Sequence, residues 1–412
     1  MLVTLTRFLK SNSLFCINIL VLLLLLFGLL QTYGTTYLPQ IGIYAVAFVG
    51  CYFLFRKRFS NWSWSLKENS IDKKWLLRSL DALIVFTIIF QVIHYYVMGN
   101  VPVVKAMLST DYYHITQIRQ DIKAVDSSLI NYTSSFLLKA IVPFLLFLLY
   151  SIDKKRFWLY FLISAFYALA LMQKALIVTI LMPLIIHLLL NRKWWRALFF
   201  VGSFMAGIVL LVLTTNPALR PAPFDCGTCE NSAPEKDKDD ERVASAKVAE
   251  GLYHRVFITT GEIVGDWFHY IPDSIPYGYG NGYRLGAKFS GNEYMDYASL
   301  VYKKIRPMEA EMGFDGTATA AYFMYDYANF GSWGLAIAGI YLAAFLVFVN
   351  RLFKDDFHNM LSLNVLFLLW LSSARFTSTL LSGGWMLMLL LYWFYQPLIA
   401  EFNQKNLAEK TA

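Results

Sequence analysis

The segment Cys226-Gly-Thr-Cys229 is one pattern in this chain that could carry chemistry. Two thiols at that spacing can act as a redox pair, supply half of a zinc site, or close a local disulfide. No βαβ pattern surrounds them, and no further His or Cys follows until His254. The local disulfide of an oxidising compartment is therefore the favoured reading of the three. The run from Glu235 to Glu241 contains Asp-x-Asp, which can hold a metal ion in other settings, but here it is interleaved with Lys and reads as a solvated charge run. Asp326 stands just before an apolar run, where a carboxylate is costly unless it is paired or used. Lys174 and Arg375 carry the same cost, with few polar neighbours to offset it. In Pro276-Tyr-Gly-Tyr-Gly-Asn-Gly-Tyr-Arg284, glycines make tight turns and present Tyr277, Tyr279 and Tyr283. Such faces and peptide groups suit sugar rings, which stack on aromatics and hydrogen-bond to backbone.

What positions these residues follows from composition. The chain has 412 residues, of which 57% are hydrophobic, 17% aromatic and 16% charged. A soluble domain carries roughly 25% charged residues, and a disordered chain is poor in aromatics. The composition is that of an all-α polytopic membrane protein. Apolar runs of spanning length fall near 13–33, 38–55, 79–98, 133–150, 157–172, 174–190, 197–214, 330–350, 358–374 and 383–400, which predicts about ten transmembrane helices. The stretch 157–190 would reach roughly 50 Å as one helix, too long for a bilayer core of about 30 Å. Gln173 and Lys174 divide it into a hairpin of two short spans.

Basic residues set the orientation. With both termini in the cytoplasm, more than half of the 36 Lys and Arg lie in short inner segments. The net charge of +8 thus reports topology, and no nucleic-acid partner is expected. The first apolar run is long enough to be a retained span. The expected organisation is residues 1–214 as helices one to seven, with a first outer segment at 99–132, then a large periplasmic or extracellular loop with amphipathic helices at 215–329, then residues 330–412 as helices eight to ten and a cytoplasmic tail. In the large loop, the pattern from Glu241 to about His269 is helical and amphipathic. Cys16 and Cys51 fall within spans. The region 320–331 reads as a segment that meets the membrane face obliquely before the next span.

Four places resemble the Wzy-type oligosaccharide repeat-unit polymerases, which build O-antigen and capsular polysaccharides. Met98-Gly-Asn-Val-Pro-Val103, with Tyr112, Tyr113 and Arg119 after it, resembles that family's first outer segment. Gln173-Lys174 resembles its polar hairpin tip. His254-Arg255-Val-Phe, followed by Trp267-Phe268 and the Gly-Tyr cluster, resembles the start of its large loop. Gly316-Thr-Ala-Thr and then Asp326-Tyr-Ala-Asn-Phe-Gly331 resemble the patch before its next span. These cover most of residues 80–350. One departure is clear: several relatives carry an acid two positions before the Tyr of the last motif, where this chain has Tyr325 and sets its acid at Asp326.

The resemblance implies transfer of a glycan from a polyprenyl pyrophosphate to a sugar hydroxyl of another lipid-linked repeat unit, at the outer face of a bacterial inner (cytoplasmic) membrane. It also implies a chain-length regulator as a partner. The donor is already activated, so neither cofactor nor metal is expected, and no Walker-type phosphate loop is present. The leaving pyrophosphate needs fixed cations, for which Arg255, Lys174, Arg375, Arg119 and Arg284 are the candidates. The acceptor hydroxyl needs a base, for which Asp326 and then His254 are favoured over Glu262, Glu311 and Asp315. Tyr277, Tyr279 and Tyr283 are the candidate glycan contacts. Membrane lipid surrounds the whole. Two other readings fit the same plan: a ligase-like or polyprenyl-phosphate-sugar-dependent transferase, and a flippase of lipid-linked glycans. A transporter of that last kind is expected to show internal repeats, and none is visible.

Overall fold

The fold is that of a computed structural model, which describes residues 8–60, 72–99, 101–109, 118, 128–172, 174–215, 250, 253–313, 316–353 and 356–411. Helices account for nearly all regular structure, and there is no strand among the described residues. The chain folds as two compact units. One comprises Met1–Trp62, Asp225–Asn350 and Leu368–Phe376, and the other Ser63–Phe224, Arg351–Phe367 and Thr377–Ala412.

Local rules set the helix ends. α1 (Ser13–Tyr33) is a run of aliphatic residues closed by Gly34, whose φ of 59° favours glycine. α2 (Leu38–Arg58) places Pro39 in its first turn, where no hydrogen bond is lost, and Arg56, Lys57 and Arg58 in its last, where cations complement the helix dipole. α3 (Lys73–Met98) is capped by Asp72, which accepts from the Lys74 N–H, and closed by Gly99. A short α4 (Pro102–Leu108) follows. α5 (Ser128–Phe136) and α6 (Val142–Ile152) are joined by a π-turn, Leu137–Ile141. That turn precedes Pro143, which has no N–H to continue the regular ladder. Asp153 caps α7 (Lys154–Ala170). After a turn with Met172 at positive φ come α8 (Lys174–Leu190) and α9 (Trp194–Thr215). A second π-turn, His254–Ile258, runs into α10 (Thr259–Tyr270). Four short helices lie beyond it: α11 (Arg284–Ser290), α12 (Tyr297–Ile305), α13 (Pro307–Glu311) and α14 (Tyr322–Phe330). The chain ends with α15 (Ser332–Phe353), α16 (Phe357–Trp370), α17 (Phe376–Leu380) and α18 (Trp385–Thr411).

Each apolar run read from the sequence is helical over most of its length, although the one at 358–374 stops being helical after Trp370, and the 157–190 stretch does divide beside Lys174. Among the described residues, six helical stretches are long and apolar enough to cross a membrane: Ser13–Tyr33, Leu38–Arg58, Lys73–Met98, Leu129–Ile152, Ser332–Phe353 and Phe376–Glu401. Val178–Leu190, Trp194–Val209 and Phe357–Trp370 are apolar but shorter. At 1.5 Å per residue a 14-residue helix such as Phe357–Trp370 falls short of a hydrocarbon core of about 30 Å.

In the first unit, α10 lies directly against α1. The seam is built of glycines. A Cβ on Gly261 would fall on the backbone of Leu25 and Leu29, and one on Gly28 would fall on the Ile258 carbonyl. Gly265, one turn on, leaves room for the Tyr33 ring, and the Tyr33 hydroxyl donates to Asp266 at 2.5 Å. Small residues four apart let two backbones approach closely, as helices do in lipid. Gly261→Leu is therefore expected to force α10 off α1, with loss of the monodisperse species on size exclusion in detergent. Gly202→Leu, whose site is open, is expected to leave it intact. Behind this seam, Phe15, Tyr44, Phe48 and Tyr52 form a buried aromatic column, and Gly339 lets α15 approach the backbone at Tyr44 and Phe48. Cys16 and Cys51 are free thiols and only half-buried.

In the second unit α6 is central, with Phe144, Leu145 and Leu146 fully buried. Three polar contacts inside it are well made: His94 Nδ1 meets the Tyr167 hydroxyl at 2.5 Å, the Ser134 hydroxyl meets the same oxygen at 3.0 Å, and Trp385 Nε1 donates to Asn364 Oδ1 at 2.7 Å. His94 is thus a packed hydrogen-bonding group.

Candidate functional site

The site grows from α14. Its sequence, Tyr322-Phe-Met-Tyr-Asp-Tyr-Ala-Asn-Phe330, is buried from Tyr322 to Asn329. It is a separate nine-residue helix stopped at Gly331, whose φ is 58°. A helix leaves its last carbonyls without intrahelical partners. The Gly-Tyr loop supplies them: the N–H groups of Gly278 and Tyr279 donate to the Ala328 and Asn329 carbonyls, each at 3.0 Å. Asn329 completes the clamp. Its Oδ1 accepts from the Gly280 and Gly282 N–H groups at 3.0 and 2.9 Å, and its Nδ2 donates to the Tyr325 carbonyl at 2.7 Å. Gly278 and Gly282 sit where a Cβ would strike Tyr297 and Asn329, so the approach requires glycine. Tyr297, fully buried, also donates to the Pro276 carbonyl at 3.0 Å. Asn329→Ala leaves the Gly280 and Gly282 N–H groups without their partner, and an unmet buried group costs roughly 1–3 kcal/mol. The expected outcome is a lower melting temperature of the detergent-solubilised protein, read by intrinsic fluorescence, with the loop 277–283 the first region to exchange its amide hydrogens.

Asp326 lies at the centre of this structure, only 8% exposed. Tyr283 donates to one carboxylate oxygen, and Tyr341 of α15 donates to the other. Tyr341 reaches it because α15 crosses α14 at Gly334, where any Cβ would collide with the Asp326 backbone carbonyl. Burial pushes the Asp326 carboxyl from the ordinary 3.8 up to about 6, while the two phenol hydrogen bonds favour the charged form and hold it from rising further. Burial, with the Asp326 charge beside it, pushes the Tyr283 phenol well above its usual range, so it stays a donor. Each carboxylate oxygen accepts one phenol and keeps a second acceptor position.

Two guanidiniums stand beside the same loop. Arg375 donates to the Gly282 carbonyl at 3.2 Å and to Asp296 at 3.3 Å. Its guanidinium carbon lies 4.6 Å from the centre of the Tyr325 ring and 5.6 Å from that of Tyr294. Arg284 lies 5.5 Å from the same Tyr294 ring. Stacking on aromatic faces fixes a guanidinium plane without using up its donors. The segment carrying Arg375 is tied to α14 by the Tyr322 N–H, which donates to the Leu371 carbonyl at 2.9 Å. The Arg375 side chain is 18% exposed and Asp296 is 44% exposed, so one cation is held in place and its counter-ion faces solvent.

Of the residues singled out from the sequence, Asp326, Tyr283, Arg284 and Arg375 come together. Tyr277 packs edge-on against Tyr327, with ring centres 5.8 Å apart. Tyr279 is 79% exposed and holds a φ of 47°, a conformation side chains rarely adopt. His254 and Arg255 do not join them. Both are exposed on the π-turn before α10, where His254 Nδ1 meets the Thr259 hydroxyl at 3.2 Å. Arg119, Asp315, Cys226, Cys229 and the Asp-x-Asp run lie outside the described residues, as does the side chain of Lys174. Glu311 is exposed and Glu262 half-buried, each on another helix. Sequence reasoning missed Asn329, Tyr341, Tyr294, Tyr325 and Asp296. Only Asn329 left a signal, as the Asn of Tyr-Ala-Asn-Phe-Gly. No family model, curated protein or solved structure matches this chain. The site's chemistry therefore rests on its geometry: a buried carboxylate held by the Tyr283 and Tyr341 phenols, and two guanidiniums that meet the Tyr294 ring next to the same Gly-Tyr loop.

Proposed function

We propose that this chain is a polysaccharide polymerase of the bacterial inner membrane, crossing it about ten times, and that the Asp326 cluster is its active centre. The observation that carries the reading is that one buried carboxylate and Arg375 both bond a single glycine-tyrosine loop, at Tyr283 and Gly282, while Arg284 follows that loop directly and shares the Tyr294 ring with Arg375. In this reading the acceptor sugar hydroxyl loses its proton to Asp326 as its oxygen bonds the donor's anomeric carbon. The bond from that carbon to the polyprenyl pyrophosphate breaks, and Arg375 and Arg284 take up the charge on the leaving oxygens. Tyr283 and Tyr341 hold the carboxylate in orientation. The exposed Tyr279 ring, with Tyr277 beside it, offers a face for a sugar.

The test is the glycan ladder of a deletion strain. A polymerase leaves single repeat units on the finished surface lipid. Accumulation of undelivered long polymer would instead mark a ligase, and repeat units retained on the inner leaflet would mark a flippase. Complementation with the wild-type chain is expected to restore the ladder.

A further inference from the structure

Away from the Asp326 cluster, and wholly within the second unit, a groove of about 310 Å³ opens between the end of α6 and the first turns of α7 and α9. Its walls are the rings of Tyr150, Trp158, Phe199 and Phe200, and two cations, Lys154 and Arg196, stand among them. The rings are mutually locked: Trp158 stacks on Phe200 at 5.9 Å and meets Phe199 edge-on at 5.8 Å. Arg196 leans on the Tyr150 hydroxyl at 3.4 Å. The nearby carboxylates are already engaged, since Asp81 and Asp153 both pair with Arg156, and Asp153 also caps α7. Among the described residues, neither Lys154 nor Arg196 is in an ion pair. Along the two helices from the groove, Leu159, Leu162 and Leu198 are all more than half exposed. The groove thus joins an anion-binding head to an apolar floor.

We propose that it binds an anionic phospholipid, with the headgroup phosphate between Lys154 and Arg196 and an acyl chain along Trp158, Phe199 and the leucines beyond. The charge is complementary to a phosphodiester, and the apolar continuation matches a lipid where a free anion would leave it empty. Lys155, Arg192 and Lys193 add positive charge to the same two connections, and the orientation rule assigns these connections to the cytoplasmic leaflet.

The full chain in detergent, titrated with phosphatidylglycerol or with phosphatidylcholine of the same acyl chains and read by native mass spectrometry, tests this. Phosphatidylglycerol is expected to be retained at about tenfold lower concentration than phosphatidylcholine. Lys154→Gln with Arg196→Gln is expected to erase that preference. Lys57→Gln with Arg58→Gln, an equal loss of charge on α2, is expected to keep it. Trp158→Ala with Phe199→Ala, which spares both cations, is expected to weaken retention of both lipids. Equal retention of the two lipids by the wild-type chain overturns the proposal, and so does a preference that survives loss of both cations. Displacement of phosphatidylglycerol by millimolar inorganic phosphate, with the aromatic double variant unaffected, would mean a free-phosphate site and would equally overturn it.

Discussion

Asp326→Asn is expected to abolish polymer in the complementation assay while leaving a protein that melts no lower than the wild type. Loss of a positioned general base removes about 10²–10⁴-fold in rate, enough to erase a glycan ladder. The stability half of the result has its own cause. A carboxyl pushed from 3.8 to about 6 by burial binds its proton more tightly folded than unfolded. Its contribution to stability is full below the unfolded value, is lost as pH rises from about 4 through 6, and is level above that. At neutral pH the charged form therefore costs about 3 kcal/mol, at 1.36 kcal/mol per pKa unit. The amide carries no charge to bury, and its oxygen and nitrogen can still bond the Tyr283 and Tyr341 hydroxyls. Melting of the purified variant between pH 4 and 7 should be flatter than that of the wild type. Activity of the wild type should fall as pH drops through 6, the opposite trend from its stability. A variant that kept making polymer would remove Asp326 from the chemistry. One that lost both polymer and folded protein would make the carboxylate structural.

Arg375→Ala is expected to cost about 10²–10³-fold, the usual loss when one preorganised group stabilising a developing anion is removed. Arg375→Lys should recover less than tenfold of it. A lysine keeps the charge, but it cannot hold the Gly282 carbonyl and Asp296 with one planar group or lie flat over Tyr325. Folding should barely change in either variant, because the Asp296 partner is 44% exposed and such pairs contribute roughly 0–1 kcal/mol. The informative contrast is Arg255→Ala. Arg255 is the arginine that the family resemblance favours, yet it sits exposed on the π-turn before α10. It should lose less than tenfold if the Asp326 cluster is the active centre. Initial rates of polymer formation by the purified protein on a lipid-linked repeat unit would rank the three variants. An Arg255→Ala loss larger than that of Arg375→Ala would move the pyrophosphate site to the π-turn.

Helices were legible along the chain because burial in lipid leaves few alternatives. A backbone without water must satisfy itself, and an apolar run of sufficient length does so as a helix. Hence α1, α2, α3 and α15 fall within a few residues of the runs that announced them. The division of 157–190 was legible for the same reason, since one helix of that length has no apolar medium deep enough to hold it. Glycines were read less well. Gly28, Gly261 and Gly334 each mark a place where two backbones touch, but a glycine in a sequence does not name its partner.

At the site the limit lay in sequence distance. Asp326 and the Gly-Tyr cluster stood out as a costly carboxylate and as turn chemistry, each by its own composition. Nothing local said that the cluster would fold back on the end of α14, or that Asn329 would bind it there. Tyr341 looked like any aromatic in a span until the crossing at Gly334 set its hydroxyl on the carboxylate. Arg375 and Arg284 are 91 positions apart and share one tyrosine ring. Period and polarity are properties of neighbours along a chain, and they sufficed for which segments form long apolar helices. Which carboxylate is buried, which phenols hold it and which cations stand beside it depend on contacts between distant segments. Those contacts exist only once the loop has closed on the helix, so they came from the fold.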